Sequence, residues 1–336
     1  EIVLDLAGQT ITESGLSAVD YSGMEDVMLE AADANLDVHG SIFGDLILVT
    51  PMAANRGTLQ VEGEDPVVEF NSTGDVTIDA LGGDDTLHVQ ATASADLIDV
   101  SGSSISINAP ALEVVNFLSV EDLRVAAGAG SDTVNVDNPT SMDVFVDGGD
   151  PIGRLQATGD VVNIITGGFA FDFERGPESD EGRVTVSGSH PTSFDHIELL
   201  MIDGKPFIMP DEFEPNDTIA EATVLGSLPK VTLRGLTLHD EGEGAINEDY
   251  FQVTAPDTGK LIFNAFFTDD AEAGLGDLNI SIVDASGDVV ADSASATDDE
   301  QIVVPVVSQE RYFLHVFSGN GLPNFYDLEI ENFEAP

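Results

Sequence analysis

The sequence predicts an all-β protein with a β-solenoid-like N-terminal repeat region, a parallel β-helix favoured, followed by a C-terminal antiparallel β-sandwich. Three observations carry that prediction. Short apolar-polar alternations, such as Val76, Ile78 and Ala80 against Asp75, Thr77 and Asp79, recur along the chain. Turn clusters rich in Gly, Asp, Asn and Ser separate them. Segments with helical periodicity are hard to find.

The first element is a repeat. Residues 10–38, 59–89, 105–136 and 184–204 each read as a short strand, a turn, an aromatic and a second strand. The aromatics are Tyr21, Phe70, Phe117 and Phe194. They recur at a period of roughly 48 residues, with a longer last gap attributed to an insertion near Gly148–Glu181. Stacked units of that size suit a solenoid, because about 48 residues are too few for an independent sandwich core. On that reading the aromatics form the solenoid core.

The repeat ends near Pro210. Residues 1–210 are therefore read as one domain and 211–336 as a second. The polar stretch Asp211-Glu212-Phe213-Glu214-Pro215-Asn216-Asp217 joins them. Strand candidates then follow at Gly259–Phe267, Asp277–Asp284, Gln301–Val307, Arg311–Phe317 and Phe325–Ile330. Short strands at close spacing read as a sandwich.

Composition narrows the function. The chain of 336 residues has 63 acidic against 10 basic residues, a net charge of −53. Such a surface repels nucleic acid and anionic membranes, and attracts cations, above all Ca²⁺. Adaptation to high salt is the alternative origin of the acidity. Apolar residues at 42% allow a packed core, and the absence of cysteine removes thiol chemistry. No run of about 18 apolar residues offers a membrane span. The chain opens Glu1-Ile2-Val3 and is read as a processed part of an exported precursor.

Catalytic constellations are not evident. His39, His88, His190, His196, His239 and His315 form no H-E-x-x-H pair, and no G-x-S-x-G elbow occurs. Carboxylates are too abundant to single out a pair. With no Trp and four Tyr, a sugar-stacking cleft is poorly supplied. Arg124 and Arg154 are the nearest candidates for the basic residue of a polysaccharide lyase, and the plainer reading is that they offset local charge.

Four stretches carry a family resemblance. Glu214-Pro215-Asn216-Asp217-Thr218 with Ala220-Glu221-Ala222 is the first, and Asn247-Glu248-Asp249-Tyr250-Phe251 the second. Leu278-Asn279-Ile280-Ser281-Ile282-Val283-Asp284 with Gly287, and Arg311-Tyr312-Phe313-Leu314-His315-Val316, complete the set. In this order they resemble the bacterial pre-peptidase C-terminal domain, over about 211–332. The resemblance implies a small jelly-roll-like sandwich on exported proteins. It also implies Ca²⁺ ligands at Glu212, Glu214, Asn216, Asp217, Asn247 and Asp249. Asn247 stands where the family has an acidic residue. The competing reading is a capped turn at Pro215-Asn216-Asp217.

The N-terminal part resembles the acidic β-repeat regions of large bacterial surface proteins. Gly128-Ala129-Gly130-Ser131-Asp132-Thr133-Val134 resembles half of a calcium-binding nonapeptide, and Gly82-Gly83-Asp84-Asp85-Thr86-Leu87 is a partial copy. Asp85 and Asp132 are thus secondary metal candidates. A Gly-Asp turn at a coil corner is the preferred reading for them and for Asp147-Gly148-Gly149-Asp150.

These readings point to an extracellular or cell-surface structural protein, not an enzyme. It would be calcium-stabilised and would assemble with copies of itself into a filament, sheath or surface layer. Ile2–Leu6 is the expected strand for adding to a neighbour's sheet. The alternatives are a non-catalytic module tethering a secreted hydrolase to matrix or cell-wall polymer, and a solenoid polysaccharide lyase.

Overall fold

A computed structural model of the chain describes residues 1–61, 66–108, 111–137, 141–150, 159–178, 180–242, 245–268, 275–295 and 299–334. All regular structure among them is β, with no helix, in several sheets of which none closes on itself. The chain divides into two compact units, Glu1–Gly204 and Lys205–Pro336.

In the first unit the chain passes back and forth between two sheets. Strands Thr86–Gln90, Asp122–Ala126, Asp143–Asp147 and Thr192–Asp195 lie in one sheet. Strands Leu97–Val100, Thr133–Asp137, Val161–Ile165 and Leu199–Ile202, which alternate with them in sequence, lie in the other. Neighbours within each of these sets pair in parallel. Parallel pairing requires the chain to leave the sheet and return, which this alternation supplies.

The registers stack like on like. Leu4, Val38, Ile78 and Phe117 form one buried row. Val49, Val89, Val125, Val146 and Phe194 form a second, and Ile98, Val134, Val162 and Leu200 a third. Alternate residues point outward, as a period of two requires.

Two details differ from the sequence reading. The four aromatics are buried but do not stack on one another. Phe70 and Phe194 are in one sheet, Phe117 is in the other, and Tyr21 lies outside the strands. Antiparallel excursions explain the false period. Leu46–Ala53, Arg56–Val61 and Val67–Asn71 form one meander, and Leu97–Val100, Ser104–Ile107 and Val115–Leu118 another. Each inserts residues without advancing the winding evenly. Ile2–Asp5 is not a free edge either. It pairs antiparallel with Thr10–Glu13 on one side and parallel with Leu36–His39 on the other.

The second unit has two principal sheets. One runs Thr223–Gly226, Asp249–Thr254, Arg311–Ser318, Leu278–Val283, Val289–Ser293. The other runs Lys230–Leu238, Asn324–Glu334, Gly259–Phe267, Glu300–Val306. Pairing is antiparallel except between Thr223–Gly226 and Asp249–Thr254. Both sheets feed one core that includes Phe251, Phe263, Ile280, Val304, Leu314 and Leu328.

Candidate metal centre and buried carboxylates

The acidic opening of the second unit folds back on the strand Asp249–Thr254. Tyr250 N–H donates to the Asn216 carbonyl at 2.9 Å, which fixes the segment alongside the strand. Asp211 is anchored by accepting from Phe213 N–H at 2.9 Å and Thr237 N–H at 2.8 Å. A cis peptide joins Glu214 to Pro215.

Asp249 is the centre of the cluster and is fully buried. Its Oδ1 accepts from Asn247 Nδ2 at 3.0 Å, and its Oδ2 accepts from the Tyr326 hydroxyl. Asn247 Nδ2 also donates to Glu214 Oε1 at 2.5 Å, and His239 N–H donates to Asn247 Oδ1 at 2.5 Å. His239 Nδ1 lies 3.4 Å from Glu214 Oε1. Burial pushes the Asp249 carboxyl well above the usual range, and the charges of Asp211, Glu214 and Asp217 add to the rise. Burial likewise raises the Tyr326 phenol, with Asp249 beside it.

Four of the six expected ligand residues therefore meet, Glu214, Asn216, Asn247 and Asp249, but Asn247 turns its nitrogen to the carboxylates and its oxygen to His239 N–H, so as arranged it braces the site and is not a ligand. Asp217 contributes charge to the cluster, while Glu212 points outward and is exposed. Asp211, Tyr326 and His239 complete the surroundings and were not singled out in the sequence. Tyr326 lies 77 positions from Asp249, so no local motif could announce it.

The Asn216 amide decides what the cluster holds. With its nitrogen inward it donates to Glu214 Oε2 at 3.0 Å and Asp249 Oδ1 at 3.2 Å. With its oxygen inward, three oxygens converge at those separations. Ligands at right angles around Ca²⁺ stand roughly 3.3 Å apart, so this donor set fits the ion in the second orientation. Without an ion the first orientation is required, and the amides of Asn216 and Asn247 clasp the carboxylates. As arranged, no three His, Asp or Glu side chains among the described residues are grouped to hold a metal by themselves.

In the first unit, an acidic residue stands directly before strand after strand. Asp96, Asp132, Asp160 and Glu198 precede Leu97–Val100, Thr133–Asp137, Val161–Ile165 and Leu199–Ile202. The carboxylates of Asp132, Asp160 and Glu198 each clamp the preceding turn, while that of Asp96 accepts from Thr92 and Asn108. Asp96 N–H donates to Asp132 Oδ1 at 2.7 Å, Asp132 N–H to Asp160 Oδ1 at 2.7 Å, and Asp160 N–H to Glu198 Oε2 at 2.5 Å. A second series joins Asp45 N–H to Asp85 Oδ1 at 2.7 Å and Asp85 N–H to Glu121 Oε2 at 3.0 Å.

Asp85, Asp132 and Asp160 are buried, and the second oxygen of each has no hydrogen-bond partner. A Cβ on Gly148 would lie 2.9 Å from Asp160 Oδ2 and 2.1 Å from the His196 carbonyl. A side chain at position 148 would therefore crowd that carboxyl. Burial raises Asp132 to about 6 and Asp160 to about 7. The neighbouring Asp96 adds to the rise at Asp132, and Asp132, Glu198 and Asp147 add at Asp160. Burial raises Asp85 as well. Burial thus favours the neutral, protonated form of these carboxyls. Arg154 lies outside the described residues.

One row has the composition of a hydrolase triad. Ser281 Oγ is 3.4 Å from His315 Nδ1, and His315 Nε2 is 2.9 Å from Glu248 Oε2. Ser281 is buried within its sheet, and His315 is stacked between Tyr250 and Phe317 at ring separations of 4.3 and 4.6 Å. Burial lowers the His315 pKa. The row holds a sheet face together, and its serine has no open approach.

No family model matches the chain, and no curated protein matches it. Among solved structures it is similar to the pre-peptidase C-terminal domain of collagenase from Bacillus anthracis. The identity is 12% and the TM-score 0.25, over 33% of this chain and 94% of that one. It is also similar to Aeromonas hydrophila PliG, a periplasmic inhibitor of g-type lysozyme. There the identity is 8% and the TM-score 0.22, over 33% of this chain and 97% of that one.

Proposed function

We propose that the chain is an extracellular, non-catalytic structural protein of a cell surface. Its first unit is a two-faced β-solenoid scaffold. Its second is a β-sandwich of the pre-peptidase C-terminal type, with a calcium clamp at Glu214, Asn216 and Asp249, braced by the Asn247 amide, and with Asp217 beside it. Copies associate into a filament, sheath or layer when divalent cations offset their charge.

The observation that carries this reading is the pair of parallel ladders. Their like-on-like registers build a continuous two-sheet scaffold, which supports a structural role. Assembly would use an outer edge other than Ile2–Asp5. The strand Asp26–Glu30 ends its sheet and presents Asp26, Met28 and Glu30 outward. Acidic residues on an edge strand block pairing until cations bridge them.

The test is light scattering of the full chain in CaCl₂, and in NaCl of equal ionic strength. Growth in calcium alone supports assembly. A monomer in both directs the reading to a tethering module of a secreted hydrolase.

A further inference from the structure

Seven arginines and three lysines serve this chain, and three of the arginines gather on one outer face of the first unit. The registers align His88, Arg124, Phe145, Ser193, Arg183 and Glu174 as one outward row across six adjacent strands. Arg124 and Arg183 stand three strand steps apart, about 14 Å. Between them Phe145 is 38% exposed.

Two adjoining cavities open along this row. One of about 290 Å³ is lined by Asp122, Arg124, Asp143, Phe145 and Ser193. The other, of about 340 Å³, shares Phe145 and Ser193 and adds Glu174, Arg175, Glu181 and Arg183. Among the described residues no carboxylate pairs with Arg124, although the chain is strongly acidic. Arg183 reaches Glu174 only at 4.0 Å. A guanidinium without a carboxylate in such a chain is poised for an anion from outside.

The lining selects among anions. Asp122, Asp143, Glu174 and Glu181 repel a dense polyanion such as nucleic acid. They accept hydrogen bonds from hydroxyl groups. Phe145 offers a flat apolar face. A ligand with sparse carboxylates, many hydroxyls and a ring to lay on Phe145 satisfies all three features.

We propose that this row is a binding site for a uronate-bearing glycan. Arg124 and Arg183 engage carboxylates on either side of a sugar ring resting on Phe145. The site is independent of the calcium clamp and of self-assembly, and involves no bond breaking.

The test is calorimetric titration of the full chain without divalent cations. The probes are oligomers of galacturonate, of guluronate and of alternating glucuronate and N-acetylglucosamine. A neutral galactose oligomer and oligoglutamate serve as comparisons. At least one uronate oligomer is expected to bind, with roughly tenfold loss in each of Arg124→Gln and Arg183→Gln. Arg56→Gln, which removes a surface pair with Glu69 elsewhere in the unit, is expected to bind as the unaltered chain. Three results overturn the proposal: no uronate oligomer binds, Arg124→Gln binds unchanged, or the neutral oligomer or oligoglutamate binds as tightly.

Discussion

Asp160 Oδ1 accepts the backbone N–H of Asp132 at 2.7 Å, although the two residues lie 28 positions apart. The contact joins successive turns of the first unit through a carboxyl group with almost no solvent. Its second oxygen has no hydrogen-bond partner, and its titration is raised to about 7. Burial therefore favours the protonated form, while the bond from Asp132 N–H by itself favours the carboxylate, and burial outweighs it.

The sign of its pH dependence follows. A carboxyl raised in the folded state binds a proton that the unfolded chain, titrating near 3.8, has already released. Stability from Asp160 and Asp132 is thus highest near pH 4 and falls as pH rises to about 7. Asp160→Asn keeps an oxygen for Asp132 N–H and removes the charge. Thermal unfolding should show this variant gaining stability at pH 8, with a flatter profile between pH 4 and 8. Asp160→Ala should lose roughly 1–3 kcal/mol at pH 5, because a buried N–H is left alone.

Gly130 sits at φ +138°, and a Cβ there would lie 2.6 Å from Ala95 N. Both the conformation and the backbone contact exclude a side chain. Gly130→Ala should destabilise the first unit by more than about 1 kcal/mol in denaturant unfolding.

The all-β class was legible in the sequence because alternation and turn residues are local signals. In the second unit the expected strand Gly259–Phe267 has the observed bounds, and the other expected strands differ by at most four residues at either end. The meeting of Glu214, Asn216, Asn247 and Asp249 was legible only through a resemblance in motif order. The winding of the first unit was not. Its clamps span 40, 36, 36, 28 and 38 positions, so no single period exists to be found. Asp160 and Glu198 carried a signal, an acid directly before a strand, but 63 acidic residues hid it.

Tyr326 supplies the hydroxyl that caps Asp249 Oδ2 inside the second unit. Tyr326→Phe keeps the ring and deletes the donor. The expected cost is roughly 1–3 kcal/mol, read by denaturant unfolding.

Asn247 bridges Glu214 and Asp249 through one amide nitrogen. Asn247→Asp replaces both donated bonds with repulsion between buried carboxylates. In EDTA the variant should melt well below the unaltered chain, by roughly 3 kcal/mol or more. Millimolar calcium should restore most of that loss, since an added carboxylate strengthens a cation site. A loss that calcium leaves untouched would assign the cluster to amide clasping alone.

The calcium clamp is tested most directly by thermal unfolding of the full chain in EDTA, then in CaCl₂, with MgCl₂ and NaCl at matched ionic strength, alongside Glu214→Gln. Binding to the native state must raise the melting temperature by mass action. The expected result is a calcium-specific rise that Glu214→Gln loses. An equal rise in NaCl, or one that Glu214→Gln retains in full, would contradict the clamp and leave the acidity as simple charge screening.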